Sequence, residues 1–238
     1  MIRNKNESEK KNYFNYRNIS EKNYKSLQVP LWIEREIKTK DLKILDYGCG
    51  FGQNLKKLKH NSYKNIYGVD INEQAIDSCA KNNLIVKKLN LENLQNPYDF
   101  KFDVIILTHI IEHIEKSQII NTLNLIKNKF LTENGKLLIA VPNAQSNTDC
   151  YWAYEDWTHT TLFTSGSIYY VLKAAGFDKV EFLDIDCTLE NSKIKSIFRK
   201  FFLKLYVFNK NFWNQITNSA FHQQSPQIFS YEIKVKAQ

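Results

Sequence analysis

Residues 44–54 read ILDYGCGFGQN, and glycines stand at every second position, Gly48, Gly50 and Gly52, directly behind an apolar run. The run reads as a buried strand. The turn behind it opens into QNLKKLKH (53–60), where Leu55 and Leu58 share one helical face. Glycine trades stability for backbone freedom, so this cluster marks a place where the chain turns sharply or a ligand comes close. Asp46, two residues ahead of the first glycine, narrows the choice. A dinucleotide turn of the form G-x-G-x-x-G sets its third glycine one place later, and an acid at its mouth repels a pyrophosphate. The acid suits a ligand with a positive group, an ammonium or a sulfonium, while the helix N-terminus suits a carboxylate.

Outward from this turn the same alternation repeats. The β-branched runs LKILDY (42–47), NIYGVD (65–70), NLIVKK (83–88), FDVIILT (102–108), GKLLIAVP (135–142) and KVEFLDID (179–186) are separated by helical patterns. Asn72 is placed to cap a helix carrying Ala75, Ile76, Cys79 and Ala80. Ser117 is placed to cap the next, with Ile119, Ile120, Leu123, Ile126 and Phe130 at helical spacing. Thr164 or Ser165 starts another, which Gly176 closes at its C′ position. Strand–helix alternation of this length predicts an α/β fold, a parallel sheet with helices on both faces. The first glycine turn then lies at the crevice where such sheets bind ligands.

A second acid, Asp70, ends the second strand at the spacing of an acid that accepts two ribose hydroxyls. Adenosine joined to a zwitterionic amino acid describes S-adenosylmethionine (SAM). At these residues the chain resembles the class I SAM-dependent methyltransferases, in their small-molecule branch, over about 42–186. The family motif E/D-x-G-x-G-x-G stands here as Asp46-Tyr47-Gly48-Cys49-Gly50-Phe51-Gly52. The resemblance implies a doubly wound Rossmann-like sheet with an antiparallel last strand. It also implies cofactor contacts from Asp46, Tyr47, Gly48, Cys49 and Gly50, ribose binding by Asp70, and adenine packing on Ile71. The adenine amine falls to Asn90, where the family usually has an acid, with the Leu91 amide beside it; an asparagine carbonyl accepts the same bond. Thr108 and His109 would line the methionine end.

The implied organisation is one domain over 1–238. It consists of an N-terminal arm and helix (1–40), a SAM-binding core (41–186), a helical insertion (187–225) and a closing strand (226–238). A chain of 238 residues that is 43% hydrophobic and 13% aromatic suits one globular core. Its four cysteines, Cys49, Cys79, Cys150 and Cys187, lack metal spacing and read as free thiols. No apolar run reaches the roughly 18–20 residues that span a bilayer. MIRNKNESEKKNYFNYRN has no apolar signal region, so the expected location is cytoplasmic. A net charge of +8 suits acidic partners, but the excess of lysine over arginine, beside abundant asparagine and isoleucine, reads as AT-rich coding bias. No nucleic-acid partner is expected. The [D/N]-P-P-[Y/F/W] turn of enzymes that methylate exocyclic base amines is missing from THIIEHIEKS (108–117).

That segment resembles the L-E-H-V run of enzymes acting on small metabolites, quinones and sugars, in which His113 would face the acceptor. The SAM sulfonium already carries a reactive methyl, so the protein's work is alignment and, for a hydroxyl acceptor, removal of a proton. Histidine is the natural base. Of the five in the chain, His60 follows a helix and His222 lies in a late loop. His113 and His159 are the candidates, oriented by Glu112 or Asp156. The competing reading is a divalent ion held by His109, Glu112 and His113 with Asp156 and His159 opposite. The long loop NAQSNTDCYWAYEDWTHTTLFTSGS (143–167) gathers Trp152, Tyr154 and Trp157 as candidate acceptor contacts. It also carries His159-Thr-Thr-Leu-Phe163-Thr164, similar to the family's H-x-x-x-F/Y-[ST] run.

In the insertion, KIKSIFRKFFLKLYVFNKNFW (193–213) places Ile194, Ile197, Phe198, Phe201, Leu205 and Phe208 on one helical stripe amid lysines. Such a stripe packs on its own domain, covers the substrate, makes a homodimer or lies on a membrane. The expected reaction is O-methylation of a sugar, nucleotide-linked or phosphorus-containing precursor of a surface polysaccharide, because similar IEH and THTTLFT runs occur in glycan-modifying relatives. The rivals are a quinone-precursor methyltransferase at the membrane, a nucleic-acid methyltransferase and a SAM-binding protein without catalysis.

Overall fold

A computed structural model describes residues 13–20, 26–91, 93–149, 151–220 and 225–238. Cys150, His222 and residues 1–12 and 21–25 of the N-terminal arm lie outside the described residues. In chain order the elements are α1 (Leu31–Glu34), β1 (Lys43–Tyr47), α2 (Gln53–His60), β2 (Asn65–Asp70), α3 (Glu73–Lys81), β3 (Val86–Lys88) and β4 (Phe102–Thr108). There follow α4 (Ile119–Leu125), β5 (Leu131–Pro142), α5 (Tyr151–Tyr154), α6 (Ser165–Ala174), β6 (Val180–Leu183), α7 (Lys193–Ile216) and β7 (Glu232–Ala237). The strands form a seven-stranded sheet in the order β3-β2-β1-β4-β5-β7-β6. Pairing is parallel for β1 with β2 and β4 and for β2 with β3, and antiparallel where β7 meets β5 and β6. This is the α/β sheet with an antiparallel closing strand that the sequence predicts.

The chain divides into two compact units. The first holds Ile37–Leu107, Asn128–Gly135 and the segment up to Val29. Within it the strand residues Ile44, Leu45, Val69 and Val104 to Leu107 are buried. Asn72 caps α3 by accepting from the Ala75 amide, as its position predicts. Strand β3 starts at Val86 rather than Asn83, because Asn83, at φ 54°, is used in closing α3. Near the N-terminus, Phe14 rests on Phe51, ring centroids 4.5 Å apart.

The second unit holds Pro30–Glu36, Thr108–Lys127 and Lys136–Gln238. Thr164 caps α6 in a full capping box with Ser167, worth about 1 kcal/mol. Gly176, at φ 94°, ends it: its amide reaches the Lys173 carbonyl and the next amide, Phe177, reaches Leu172. Ser117 does not cap α4. Its place is taken by Gln118, whose amide closes a turn onto Glu115 and whose side chain makes no cap. The closing strand is shorter than 226–238 because Asn143 Nδ2 captures the carbonyls of Ile228 and Ser230 ahead of it. Between β6 and β7 runs the long helix α7, no residue of which is buried.

Candidate functional site

In the first unit, the end of β1 brings Asp46 to the glycine turn with only 2% of its surface exposed. One carboxylate oxygen accepts from Asn54 Nδ2 at 3.2 Å, and the other, Oδ2, is buried without a hydrogen-bond partner among the described residues. Burial above all raises its pKa, to about 7; the Asn54 bond and Lys57 oppose this, while Asp70 adds to it. A buried, half-satisfied carboxylate is what a cationic ligand would complete.

Gly48, Gly50 and Gly52 all adopt left-handed φ, at 76°, 51° and 76°. Gly52 serves packing as well: a Cβ there would lie 2.6 Å from Leu84 Cδ1 and 3.0 Å from Cys79 Sγ. Asp70, 7% exposed, accepts from the Gly50 amide at 2.7 Å and from the Asn72 amide at 2.8 Å. It thereby ties the end of β2 to the glycine turn. Burial raises its pKa, against the backbone bonds that lower it.

Tyr47 and Cys49 point into the core, Tyr47 against Phe130 at 5.6 Å between centroids and Cys49 among Leu55, Cys79 and Leu84. What they could offer a ligand is backbone. Asn90 and Leu91 are exposed behind β3, and Ile71 is half-buried.

In the second unit, Ile111–His113 form one 3₁₀ turn. Here His109, itself at φ 55°, is held between two acids. Its Nε2 is 2.8 Å from Glu232 and its Nδ1 3.3 Å from Glu112. The side chain is 46% exposed; what burial it has works against charge, and the two carboxylates outweigh it and push its pKa up to about 10. His109 is therefore a cation at neutral pH. With both nitrogens turned to carboxylates, it drops out of the metal-ligand set that its place in the sequence suggests.

His113 and His159 come together, ring centroids 4.8 Å apart. The hydroxyl of Thr158 donates to Asp156 Oδ1 at 2.6 Å. It must then accept from His113 Nδ1 at 2.9 Å, which puts the His113 proton on Nδ1 and a lone pair on Nε2. Burial is the main force holding His113 below the ordinary histidine pKa, with His159 adding to it and Glu112 and Asp156 opposing. Glu112 is fully buried, and neither carboxylate oxygen has a hydrogen-bond partner among the described residues, His109 being its charge partner. Glu112, His113 and His159 each offer a ligand atom, and these atoms lie within 4.8 Å of one another.

The THTTLFT run secures this turn. The Thr160 amide and hydroxyl both reach the Glu112 carbonyl, Phe163 is buried and bridges Asn143, and Thr164 caps α6. Of the candidate acceptor contacts, Trp152 is half-buried with its Nε1 unpartnered among the described residues, while Tyr154 and Trp157 are 74% and 87% exposed. Thr108, at the end of β4, is half-buried.

Sequence reasoning passed over Thr158, Asn143 and Glu232. The Asp156-x-Thr158 spacing was a turn signal, and the Thr158 amide does bond Asp156 Oδ1. Glu232, Lys234 and Lys236 alternate along β7, an interior strand, and charges on such a strand call for buried partners. The side chain of Asp184, on Lys234, is buried, while His109 and Glu181 answer Glu232 and Lys236 from half-exposed positions.

Comparison with known proteins places the chain in a family. A family model described as a methyltransferase domain matches residues 19–181. A ubiquinone biosynthesis O-methyltransferase of Rickettsia bellii is 37% identical over 93 residues, 37% of either chain. The match thus spans little more than a third of that curated relative. A SAM-dependent methyltransferase of Archaeoglobus fulgidus superposes with TM-score 0.58 at 21% identity, covering 86% of this chain and 90% of its own. The magnesium protoporphyrin IX methyltransferase of Synechocystis, solved with S-adenosylhomocysteine, gives 0.52 at 12% identity, covering 87% and 78%. These structural likenesses are of fold.

Proposed function

Because this chain belongs to the methyltransferase domain family, and is a SAM-dependent enzyme, we propose that it methylates a hydroxyl oxygen of a small polar metabolite. The acceptor class we favour is a sugar, nucleotide-linked or phosphorus-containing precursor of a surface polysaccharide. One observation carries the reading of the reaction. The His159 Nδ1 lies 2.6 Å from the Trp152 carbonyl, which has no proton to give, so the ring's proton is there and its Nε2 is an acceptor. His113 is fixed in the same tautomer through Thr158 and Asp156.

Such nitrogens take a proton from a hydroxyl. A hydroxyl needs that help, whereas a neutral amine is already nucleophilic. In this reading Asp46 and Asp70 hold the ammonium and the ribose of SAM, His113 or His159 removes the acceptor proton, and Glu112 steadies the positive charge that forms. Trp152, Tyr154 and Trp157 are proposed acceptor contacts. The polysaccharide assignment rests on the resemblance of the IEH and THTTLFT runs alone.

Two specific observations favour variants of this reading. The name of the Rickettsia relative favours a quinone-precursor hydroxyl as acceptor. The buried, unbonded oxygens of Glu112 favour a divalent ion on Glu112, His113 and His159. Such an ion would lower the acceptor's pKa.

The test is transfer of a labelled methyl group from SAM to nucleotide sugars, phosphosugars and catechols, with His113→Asn and His159→Asn in parallel. The expected result is an O-methyl ether product. At least one variant should lose roughly 10²–10⁴-fold in kcat while keeping SAM affinity. Thermal shifts with magnesium, manganese or zinc, absent from Glu112→Gln, would establish the ion. Methylation of an amine with both histidine variants at full rate would overturn the base assignment.

A further inference from the structure

We propose that α7 docks the protein on an anionic membrane surface. The helix runs 24 residues, about 36 Å at 1.5 Å per residue. It is well made: Ser192 caps its start, and the Thr217 hydroxyl bonds the Trp213 carbonyl at its end. One long side is fastened to its own unit. Ser196 bonds the Thr188 carbonyl, Arg199 the Asp186 carbonyl and Tyr206 the side chain of Asn147, while the Tyr206 ring meets Phe229 at 5.2 Å.

The opposite side is apolar and bare. Ile194, Phe198, Phe201, Leu205, Phe208 and Phe212 follow one another in alternating steps of four and three, which keeps them on one face. Each is between 48% and 82% exposed. Isolated exposed apolar residues need no explanation, but a continuous stripe of this length marks an interaction surface.

Charge selects the partner. The helix holds five lysines and one arginine and not one acidic residue. By helical position Lys193, Lys200 and Lys204 run along one edge of the stripe and Lys195 lies on the other. A second copy of α7 laid on the stripe would bring these cations against their own kind, with no carboxylate on either helix to answer them. The same six cations keep the helix from crossing a bilayer, and no helix among the described residues is long and apolar enough to do so. An anionic bilayer accepts both features at once: the aromatic stripe enters the acyl boundary, and the lysine stems reach back to the lipid phosphates. The exposed Phe212 and Trp213 give the stripe the aromatic character favoured at that boundary.

The test is co-sedimentation of the full chain with vesicles of phosphatidylcholine containing 30 mol% phosphatidylglycerol, about one anionic lipid in three, against vesicles of phosphatidylcholine alone. The protein should pellet with the anionic vesicles at low salt and be released as salt screens the attraction. Phe201→Ser with Phe208→Ser, and separately Lys193→Gln with Lys200→Gln and Lys204→Gln, should each weaken vesicle binding at least tenfold. All five positions are exposed, so circular dichroism and SAM affinity should stay at wild-type values. Equal binding to both vesicle types would overturn the proposal. So would a chain that ignores vesicles, whether it is monomeric or a dimer dissolved by the phenylalanine variant.

Discussion

Nε2 of His109 sits 2.8 Å from Oε1 of Glu232, a contact between residues 123 positions apart. It joins the loop after β4 to the start of the closing strand within one unit. The pair sets a pH window. The folded pKa of His109 is raised, so the stability it contributes is full below the unfolded histidine value near 6.5 and is lost as pH rises through about 10. Glu232 is lowered, since His109 and Lys234 outweigh its burial, so its contribution is lost as pH falls through the acid range. Denaturant midpoints should therefore decline between neutral pH and pH 10 in the wild type. In Glu232→Gln that decline should shrink; an unchanged alkaline limb would refute the pairing.

The buried acid beside the glycine turn predicts a proton signature. With its carboxyl raised to about 7, Asp46 is partly protonated in the free protein and must ionise to meet a positive ligand. SAM affinity should fall as pH drops below about 7, and calorimetry in buffers of different ionisation heat should record proton release. Asp46→Asn should bind SAM weakly at every pH and lose the release. The same raised pKa means that folding favours the neutral form, so stability of the free protein drops as pH climbs from about 4 to 7. The asparagine variant should consequently unfold at a higher temperature than the wild type at neutral pH.

Thr158→Val tests the orienting hydrogen bond without touching a ring. It removes the hydroxyl that accepts from His113 Nδ1 and donates to Asp156. The imidazole is then left with its bond to the residue 158 backbone to hold its tautomer. We expect kcat to fall about 10- to 100-fold with SAM affinity kept, and Thr158→Ser to restore most of the rate. A valine variant with full kcat would show that this bond is only structural.

Gly52→Ala should cost about 1–3 kcal/mol, since the new methyl would meet Leu84 Cδ1 and Cys79 Sγ at φ 76°. Adding Leu84→Val makes room and should recover part of that loss. Failure of the second change to help would place the cost in backbone strain and the Cys79 contact.

Local signals account for what was legible in the sequence. Strand β2 and helix α2 fall where their apolar periods put them, and Asn72, Thr164 and Gly176 act at the turns their chemistry suits. The apolar pattern runs past its element where a left-handed residue intervenes: β6 stops at Leu183 because Asp184 turns at φ 43°. Strand β5 begins at Leu131, not Gly135, since Leu131 is buried and α4 gives way to a π turn at Ile126–Phe130. The site divides the same way. Asp46 and Asp70 stand within 24 residues of each other on a recognisable turn. Glu232 and Asn143 work through partners 85 to 123 positions away, and no short window of sequence holds both ends of such a bond.

The long helix leaves and returns at one corner of the sheet. Leu183, the last residue of β6, pairs with Lys234 near the start of β7. Topologically the whole excursion is the loop of a hairpin, and closing that hairpin with a tight turn would leave the strand register intact. A segment attached in this way can lengthen, shorten or change its charge without asking the candidate catalytic residues to move. Where the enzyme works in the cell is thereby free to evolve separately from what it does there.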